Sequence, residues 1–542
     1  MSHRTYTPSR FAPEVDLDLS KNEGNPATLN LSQSTQWPDE LIRRYPDTTA
    51  LRDQLADFHK VRLEQILVTA GGDDALFRCF LARLGPGATA VATTPTFEMI
   101  PIYSNQVGSE LVEIEWWGGQ FPTTLFVSAA AGADAVFVVS PNNPTGATIT
   151  EAELREVSKG AGLVVLDAAY SEFADDDLTS AALDMGNVVV VRTLSKAYGL
   201  AGLRVGFLLG PVDLIQELSS YGSPYPVSSL SAAIASERLR QSNDVATFVG
   251  EIRSERTDLA ELFDELGVET LPSEGNFILA ETKDAEWVTD ACAALGVGVR
   301  RFPGREILDS WVRITLPGEP DQFARLARTL TTVLAPEALL FDLDGVLVDV
   351  SESYRRSIIE TAASFGVAVS AGDIERAKSN GGANDDWDLT RRLISERGKQ
   401  LAYEDLAARF EEIYQGHADT PGLKQNERPL VDPSTWSRLA GAMPLGVVTG
   451  RPRADAEEVL DRFGLLTRTS VLVAREDAPF KPDPAPVRLA MSRLAVDHAW
   501  LVGDTPDDIA AAKSAGVLPI GIGVSGAART LDRTTDIEEL LP

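Results

Sequence analysis

Thr193-Leu-Ser195-Lys196-Ala-Tyr-Gly199-Leu-Ala-Gly202-Leu-Arg204-Val-Gly206 sets one lysine beside small hydroxyl residues, with an arginine eight positions on. It follows Asn187-Val-Val-Val-Val-Arg192, an apolar β-branched run of the kind that forms a buried strand. Gly199 and Gly202 let the backbone turn tightly and approach a ligand. A lysine on such a platform suits an amine that bonds to the carbon of a phosphorylated aldehyde, with a fixed cation nearby. Taken alone, the stretch reads equally well as a surface lysine in a strand-to-helix loop.

Outward from it, strand and helix signals alternate. Residues 66–69, 89–93, 135–139, 162–166 and 188–191 read as strands, with helical patterns at 51–58 and 75–84. Alternation of this kind implies an α/β fold with a mostly parallel sheet covered by helices on both faces. Helical patterns follow at 228–239 and 246–266, short strands at 277–280, 297–301 and 311–315, and an amphipathic helix at 320–334. A second alternating unit starts with the strand 338–341. Residues 350–440 read as helical and charged, and strands return at 445–449, 470–473, 499–502 and 518–522. The expected domains are therefore 1–334 and 335–542, the second with a helical insert at about 350–440.

The net charge of −31 argues against broad binding to nucleic acid or to an anionic membrane. Phosphate substrates would have to be held by locally placed arginines and lysines. Two cysteines, Cys79 and Cys292, provide neither a disulfide framework nor a cysteine zinc site. The start lacks an apolar signal core, and no apolar run is long enough to cross a bilayer, so a cytoplasmic location is expected.

Several residues upstream of Lys196 suit one cofactor. Asp167 closes an apolar strand, where a carboxylate is costly without a cationic partner such as a protonated ring nitrogen. Tyr170 and Asn143 could reach a ring oxygen, Phe97 could stack on the ring, and Gly72-Asp73 opens a helix whose N–H groups favour a phosphate. Each also has a bland reading: Asp167 as a helix cap, Asn143 as a turn residue, Phe97 as core. Their order and spacing are more specific. Arg44-Tyr-Pro-Asp, Gly71-Gly-Asp-Asp, Pro95-Thr-Phe, Ser140-Pro-Asn-Asn-Pro-Thr-Gly146, Leu166-Asp-Ala-Ala-Tyr170 and Thr193–Arg204 together resemble the fold-type I aminotransferases that use pyridoxal phosphate, in the histidinol-phosphate branch.

The resemblance spans roughly residues 15–334 and implies a large mostly parallel domain with a small α/β domain. It implies Lys196 as the Schiff-base lysine, Asp167 on the ring nitrogen, and Asn143 and Tyr170 on the ring oxygen. Ser195, Arg204, Gly72 and Asp73 would surround the phosphate. Arg300 and Arg313 match positions that hold the substrate's anionic groups. It also implies a homodimer, with Tyr45 reaching the neighbour's cofactor phosphate. Two departures lie on the substrate side: Asn22-Glu23-Gly24-Asn25-Pro26-Ala27 carries an inserted residue and no tyrosine after the proline, and Phe97 replaces a common tyrosine.

The second unit has its own constellation. Asp342-Leu-Asp344-Gly345 follows a strand, Thr449 ends another, Lys481 lies in Phe480-Lys-Pro-Asp, and Gly503-Asp504-Thr-Pro-Asp-Asp508 ends a further one. Both Asp342 and Asp344 can serve one site only if the chain turns, which Gly345 permits. A hard cation such as Mg²⁺ prefers such oxygens, and Lys481 would help neutralise a phosphoryl group. The four elements resemble the haloacid dehalogenase-like hydrolases, a Rossmann-like domain with a helical cap, over about 337–525. That resemblance implies Asp342 as nucleophile, Asp344 as acid and base, Thr449 and Lys481 on the phosphoryl oxygens, and Asp342, Asp344, Asp504 and Asp508 at the metal. The stretch Lys378–Trp387 reads as a specificity loop, or else Asp385 or Asp386 caps the following helix. The cysteine zinc loop of some histidinol phosphatases is absent.

The whole chain thus reads as an aminotransferase joined to a Mg²⁺-dependent phosphatase acting on small molecules. Histidinol phosphate would make the two steps consecutive in histidine biosynthesis. Another phosphorylated amino alcohol, an aromatic keto acid, or one domain serving as a regulatory module stay open.

Overall fold

The run after Asn187 forms a strand buried at every residue, Val188–Thr193, and the computed structural model places it near the middle of a seven-stranded sheet. The strand runs two residues past the apolar run because Arg192, although buried, is bonded to Asp177, Thr179 and Glu172. The structure describes residues 15–24, 39–379, 381, 385–417 and 420–541. Among them no helix is long and apolar enough to cross a membrane, and both cysteines are buried and unbridged.

The first sheet comprises β1 (Ile66–Thr69), β2 (Thr89–Thr94), β3 (Glu110–Glu115), β4 (Ala135–Val139), β5 (Val164–Asp167), β6 (Val188–Thr193) and β7 (Gly206–Leu209). Its order is β1-β7-β6-β5-β4-β2-β3, and only β7 runs against the others. The strands β3 and β7 are additions to the sequence reading. In β3, a sheet-edge strand, the adjacent Leu111 and Val112 break the alternation of glutamate with apolar residues, and β7 is too short for its period to show. A three-stranded antiparallel sheet, β8 (Phe277–Glu281), β9 (Arg300–Arg301) and β10 (Trp311–Thr315), has β10 at its centre. Its register sets Arg300 directly opposite Arg313.

The second sheet comprises β11 (Ala338–Phe341), β12 (Leu445–Val448), β13 (Val471–Val473), β14 (Ala499–Gly503), β15 (Leu518–Ile522) and β16 (Arg529–Leu531). All pairings are parallel, in the order β13-β12-β11-β14-β15-β16. The insert after β11 carries helices Tyr354–Ser364, Ala371–Ser379, Asp386–Ser395 and Tyr403–Gln415, followed by very short exposed strands.

The chain forms two compact units that do not divide it at one point. Leu17–Ala285 and Gly298–Ala327 belong to the first, while Glu286–Val297 groups with residues from Arg328 onward in the second. Within the second unit the Trp287 ring meets Trp500 edge-on at 5.4 Å, and Trp500 Nε1 donates to the Thr332 carbonyl at 2.7 Å. Burial of these large rings draws residues before 335 into that unit.

Candidate functional site

In the first unit, the C-terminal ends of β4, β5 and β6 bring Asn143, Asp167 and Lys196 to one side of the sheet, where α/β folds bind ligands. Gly72, Asp73, Phe97, Asn143, Asp167, Tyr170, Ser195, Lys196 and Arg204 line a single cleft of about 540 Å³, part of it open to solvent. Lys196 Nζ donates to the Asn22 carbonyl at 2.7 Å and lies 5.5 Å above the Tyr170 ring. Tyr170 Oη accepts from Asn22 Nδ2 at 3.1 Å and from Asn143 Nδ2 at 3.5 Å. Asn142, fully buried, ties the loop of Phe97 to that of Asn143 by donating to the Pro95 carbonyl and accepting from Thr96 Oγ1. Gly71 sits at φ 81°, and a Cβ there would lie 2.8 Å from an Arg204 nitrogen. The angle favours glycine, and a Cβ would also require the Arg204 guanidinium to shift.

The Asp167 carboxylate is buried and accepts one N–H, from Ala169 at 3.2 Å, with no ion pair to it among the described residues. Burial pushes its pKa up to about 7; nearby Asp73 adds to this, while the Ala169 N–H and Lys196 oppose it.

In the second unit β12, β11 and β14 lie side by side, so Thr449, Asp342 and Asp504 emerge next to one another. Carboxylate oxygens of Asp342, Asp504 and Asp508 lie within 4.8 Å of one another. Lys481 Nζ donates to Asp342 Oδ1 at 2.7 Å and to the Val448 carbonyl at 3.0 Å, and pairs with Asp508 Oδ1 at 2.5 Å. Burial raises the Asp342 and Asp504 pKa values, Asp504 to about 7, with neighbouring carboxylates adding to both. Gly345 sits at φ 81°, and a Cβ there would come 2.0 Å from Asp504 Oδ2, so this turn too is closed to larger residues. The cleft above is lined from the core by Asp342, Asp344, Arg451 and Lys481, and from the insert by Tyr354, Lys378, Asp386 and Trp387.

Residues 36–330 match the sequence profile of the aminotransferase class I and II family. The chain belongs to that family. Residues 336–516 match the haloacid dehalogenase-like hydrolases, so a transferase is joined to a hydrolase. Histidinol-phosphate aminotransferase of Xanthomonas campestris pv. campestris (strain ATCC 33913) is 35% identical over 339 residues, which is 59% of this chain and 91% of that one. A Phytophthora nicotianae protein named imidazoleglycerol-phosphate dehydratase is 43% identical over 194 residues, and the match spans 34% of this chain but only 43% of that protein. The crystal structure of histidinol-phosphate aminotransferase from Sinorhizobium meliloti with pyridoxal-5'-phosphate superposes with a TM-score of 0.53 at 24% identity, over 58% of this chain and 90% of that one. That last likeness is one of fold.

In the aminotransferase unit the residues present fit pyridoxal phosphate, because the buried Asp167 carboxylate calls for the cation that a protonated ring nitrogen brings. Arg204 holds a left-handed backbone at φ 53° and pairs with Asp73 Oδ2 at 2.6 Å. Arg313 donates to Asn143 Oδ1 at 2.6 Å and to the Ser20 carbonyl at 2.9 Å, beside the cleft, whereas Arg300 donates to Glu98 at 3.0 Å and lines a separate cavity. Tyr45 is 81% exposed, stacks on Tyr225 and does not line its own cleft. Asn25, Pro26 and Ala27 lie outside the described residues. Asn22 had no assigned role in the sequence reading, yet it holds both Lys196 and Tyr170; its place at the start of a departing motif was the available signal.

In the hydrolase unit the three-carboxylate cluster fits a hard divalent cation, since Asp504 Oδ1 is buried without a hydrogen-bond partner among the described residues. Asp344 was expected among the ligands, but its carboxylate is not part of the cluster. Arg451 holds it instead, from Nε at 2.8 Å and Nη2 at 2.5 Å. Thr449 lies beside the cleft, its Oγ1 accepting the Arg451 N–H at 3.1 Å. Asp385 is the cap of helix Asp386–Ser395, while Asp386 pairs with Lys378 in the cleft; residues 380 and 382–384 of this stretch lie outside the described residues. Arg451 carried no sequence signal beyond its place after Thr449-Gly450.

Proposed function

We propose that the chain aminates a phosphorylated keto substrate and then hydrolyses the phosphate of the product, with histidinol phosphate as the shared compound. The observation that supports this most is the presence of both sites in one chain, where the first unit is 34–35% identical to histidinol-phosphate aminotransferases over most of their length. The Phytophthora relative's name points to the same chemistry, an imidazole ring carrying a phosphate ester.

Pyridoxal phosphate, when bound, supplies the electron sink that makes the substrate α-proton acidic. Lys196 moves that proton, its amine aimed by the Asn22 carbonyl. Asp167 would keep the ring nitrogen protonated, Tyr170 and Asn143 would hold the ring oxygen, Phe97 would cover the ring, and Ser195, Arg204 and the Gly72 and Asp73 amides would take the phosphate. Arg313 and Arg300 are assigned to the substrate's anionic groups. Tyr45, exposed and away from its own cleft, is assigned to the partner's cofactor phosphate in a homodimer.

In the second reaction Asp342 attacks phosphorus, while Thr449 and Lys481 hold the phosphoryl oxygens. Asp344 gives a proton to the departing alcohol and later takes one from water. Asp342, Asp504 and Asp508 would hold Mg²⁺, whose charge offsets the carboxylates and the phosphoryl group.

The test is to supply glutamate and imidazole acetol phosphate together and measure inorganic phosphate. Release that requires both compounds is expected, and failure to hydrolyse histidinol phosphate would break the pairing.

A further inference from the structure

Inside the hydrolase cleft, the wall contributed by the insert carries an ion pair, Lys378 Nζ to Asp386 Oδ1 at 3.1 Å. Both side chains are largely buried, at 21% and 10% exposure. Asp386 is fixed by the helix it begins: Asp385 caps that helix, Arg475 holds Asp385 at 2.7 Å, and Thr390 Oγ1 donates to the Asp386 carbonyl at 2.5 Å. Lys378 lies within electrostatic range of Asp344 and Asp504 as well as Asp386. None of this is needed for the phosphoryl chemistry derived above.

Such a pair is neutral as a unit, and separating it where both side chains are largely buried leaves two charges to be met. A phosphate ester without other charge can satisfy Lys378 but strands Asp386, which is costly for a carboxylate buried to this degree. An ester that also carries an ammonium group satisfies both, phosphate oxygens on Lys378 and ammonium on Asp386, so that partners are exchanged and no charge is left unpaired.

We infer that Asp386 and Lys378 select phosphate monoesters that bear a cationic amine. The inference rests on the reading of the second unit as a phosphatase and extends it to reaction order. The keto precursor of a transamination lacks the ammonium, so its phosphate is retained until the first unit has aminated it. Hydrolysis therefore follows amination.

The experiment compares kcat/KM on the full chain with Mg²⁺ for two matched pairs, histidinol phosphate against the same ester without its amino group, and phosphoethanolamine against ethyl phosphate. p-Nitrophenyl phosphate reports whether the hydrolase works at all. The amino ester is expected to be favoured by about 100-fold or more, and Asp386→Asn to lower that ratio at least about tenfold, with partial return in Asp386→Glu. Because a ratio is read, a general loss of rate cancels. Ratios near one in both wild-type pairs overturn the inference, with no need of a variant, and an unchanged ratio in Asp386→Asn overturns the assignment to that residue. No hydrolysis of any ester removes the phosphatase reading and the inference with it. Amine preference confined to the second pair leaves the inference standing and removes histidinol phosphate.

Discussion

Arg451 grips Asp344 from two nitrogens, Nε at 2.8 Å and Nη2 at 2.5 Å, across 107 positions of sequence. The same guanidinium pairs with Glu427 at 3.0 Å, donates to Tyr414 Oη at 3.1 Å and lies 4.7 Å over the Tyr354 ring. A side chain 1% exposed and satisfied on every side fixes where the Asp344 carboxyl can point.

Replacing Arg451 has two separable consequences. Arg451→Ala leaves Glu427, itself 1% exposed, with only part of its neutralising charge, and a loss of about 3–5 kcal/mol is expected in urea unfolding of the hydrolase unit. Arg451→Lys keeps the charge but not the fork, and its kcat should fall more for alkyl than for p-nitrophenyl phosphate, since only the poor leaving group needs the proton from Asp344. Equal losses on both esters would mean Arg451 has a structural role alone.

The buried Asp167 makes the cofactor-free protein sensitive to pH. Its pKa rises from 3.8 to about 7, so the folded state holds the proton more tightly than the unfolded chain. The penalty is absent below pH 4, grows through the window from about 4 to 7 and is complete above it, up to about 4 kcal/mol. Asp167→Asn should therefore be the more stable protein at pH 8 without cofactor and equal to wild type at pH 4. With pyridoxal phosphate the order at pH 8 should reverse, because the wild-type carboxylate then has a cation. Thermal melts at both pH values, with and without cofactor, measure this.

Metal binding should show the same sign for the same reason. Asp342 and Asp504 titrate above the usual carboxylate range, and protons compete with the cation for them. Added Mg²⁺ is expected to raise the melting temperature of the hydrolase unit more at pH 8 than at pH 5, and Asp504→Asn to remove most of the difference. A Mg²⁺ shift independent of pH would argue that these carboxylates are not the ligands.

Tyr45 and Lys196 allow a complementation test. If Tyr45 serves the partner's cleft, mixing Lys196→Ala with Tyr45→Ala subunits creates heterodimers in which one cleft has both native residues. About a quarter of wild-type transamination should return after mixing, from two preparations that are each nearly inactive. No recovery would place Tyr45 outside the partner's site. In both preparations phosphate hydrolysis should persist, and in Asp342→Asn the reverse should hold.

Most of the first cleft was legible because its residues occupy short loops whose order is fixed by the strands they follow. Asp167, Asn143 and Lys196 each come within a few residues of a strand end. What the sequence hid was Asn22, which precedes every strand of the main sheet yet supports Lys196 through a backbone carbonyl, an atom that every residue type carries. Arg300 and Arg313 were legible as cations but not as neighbours. The register that sets them opposite requires each to be answered separately, by Glu98 and by Asn143 with Ser20, since like charges in that position repel.

Sequence alone determined that a transferase precedes a hydrolase along the chain, because several short motifs follow successive strands in an order and spacing that neither the lysine stretch nor the Asp-x-Asp-Gly carries by itself. Tertiary structure decided what those groups touch. It set the Asp344 carboxylate against Arg451, outside the cluster of Asp342, Asp504 and Asp508, and set Lys378 against Asp386 in the cleft. It also brought Glu286–Val297 into the second unit. Each of these depends on which strands and helices lie side by side and how much apolar surface they cover, and no local spacing of residues encodes that.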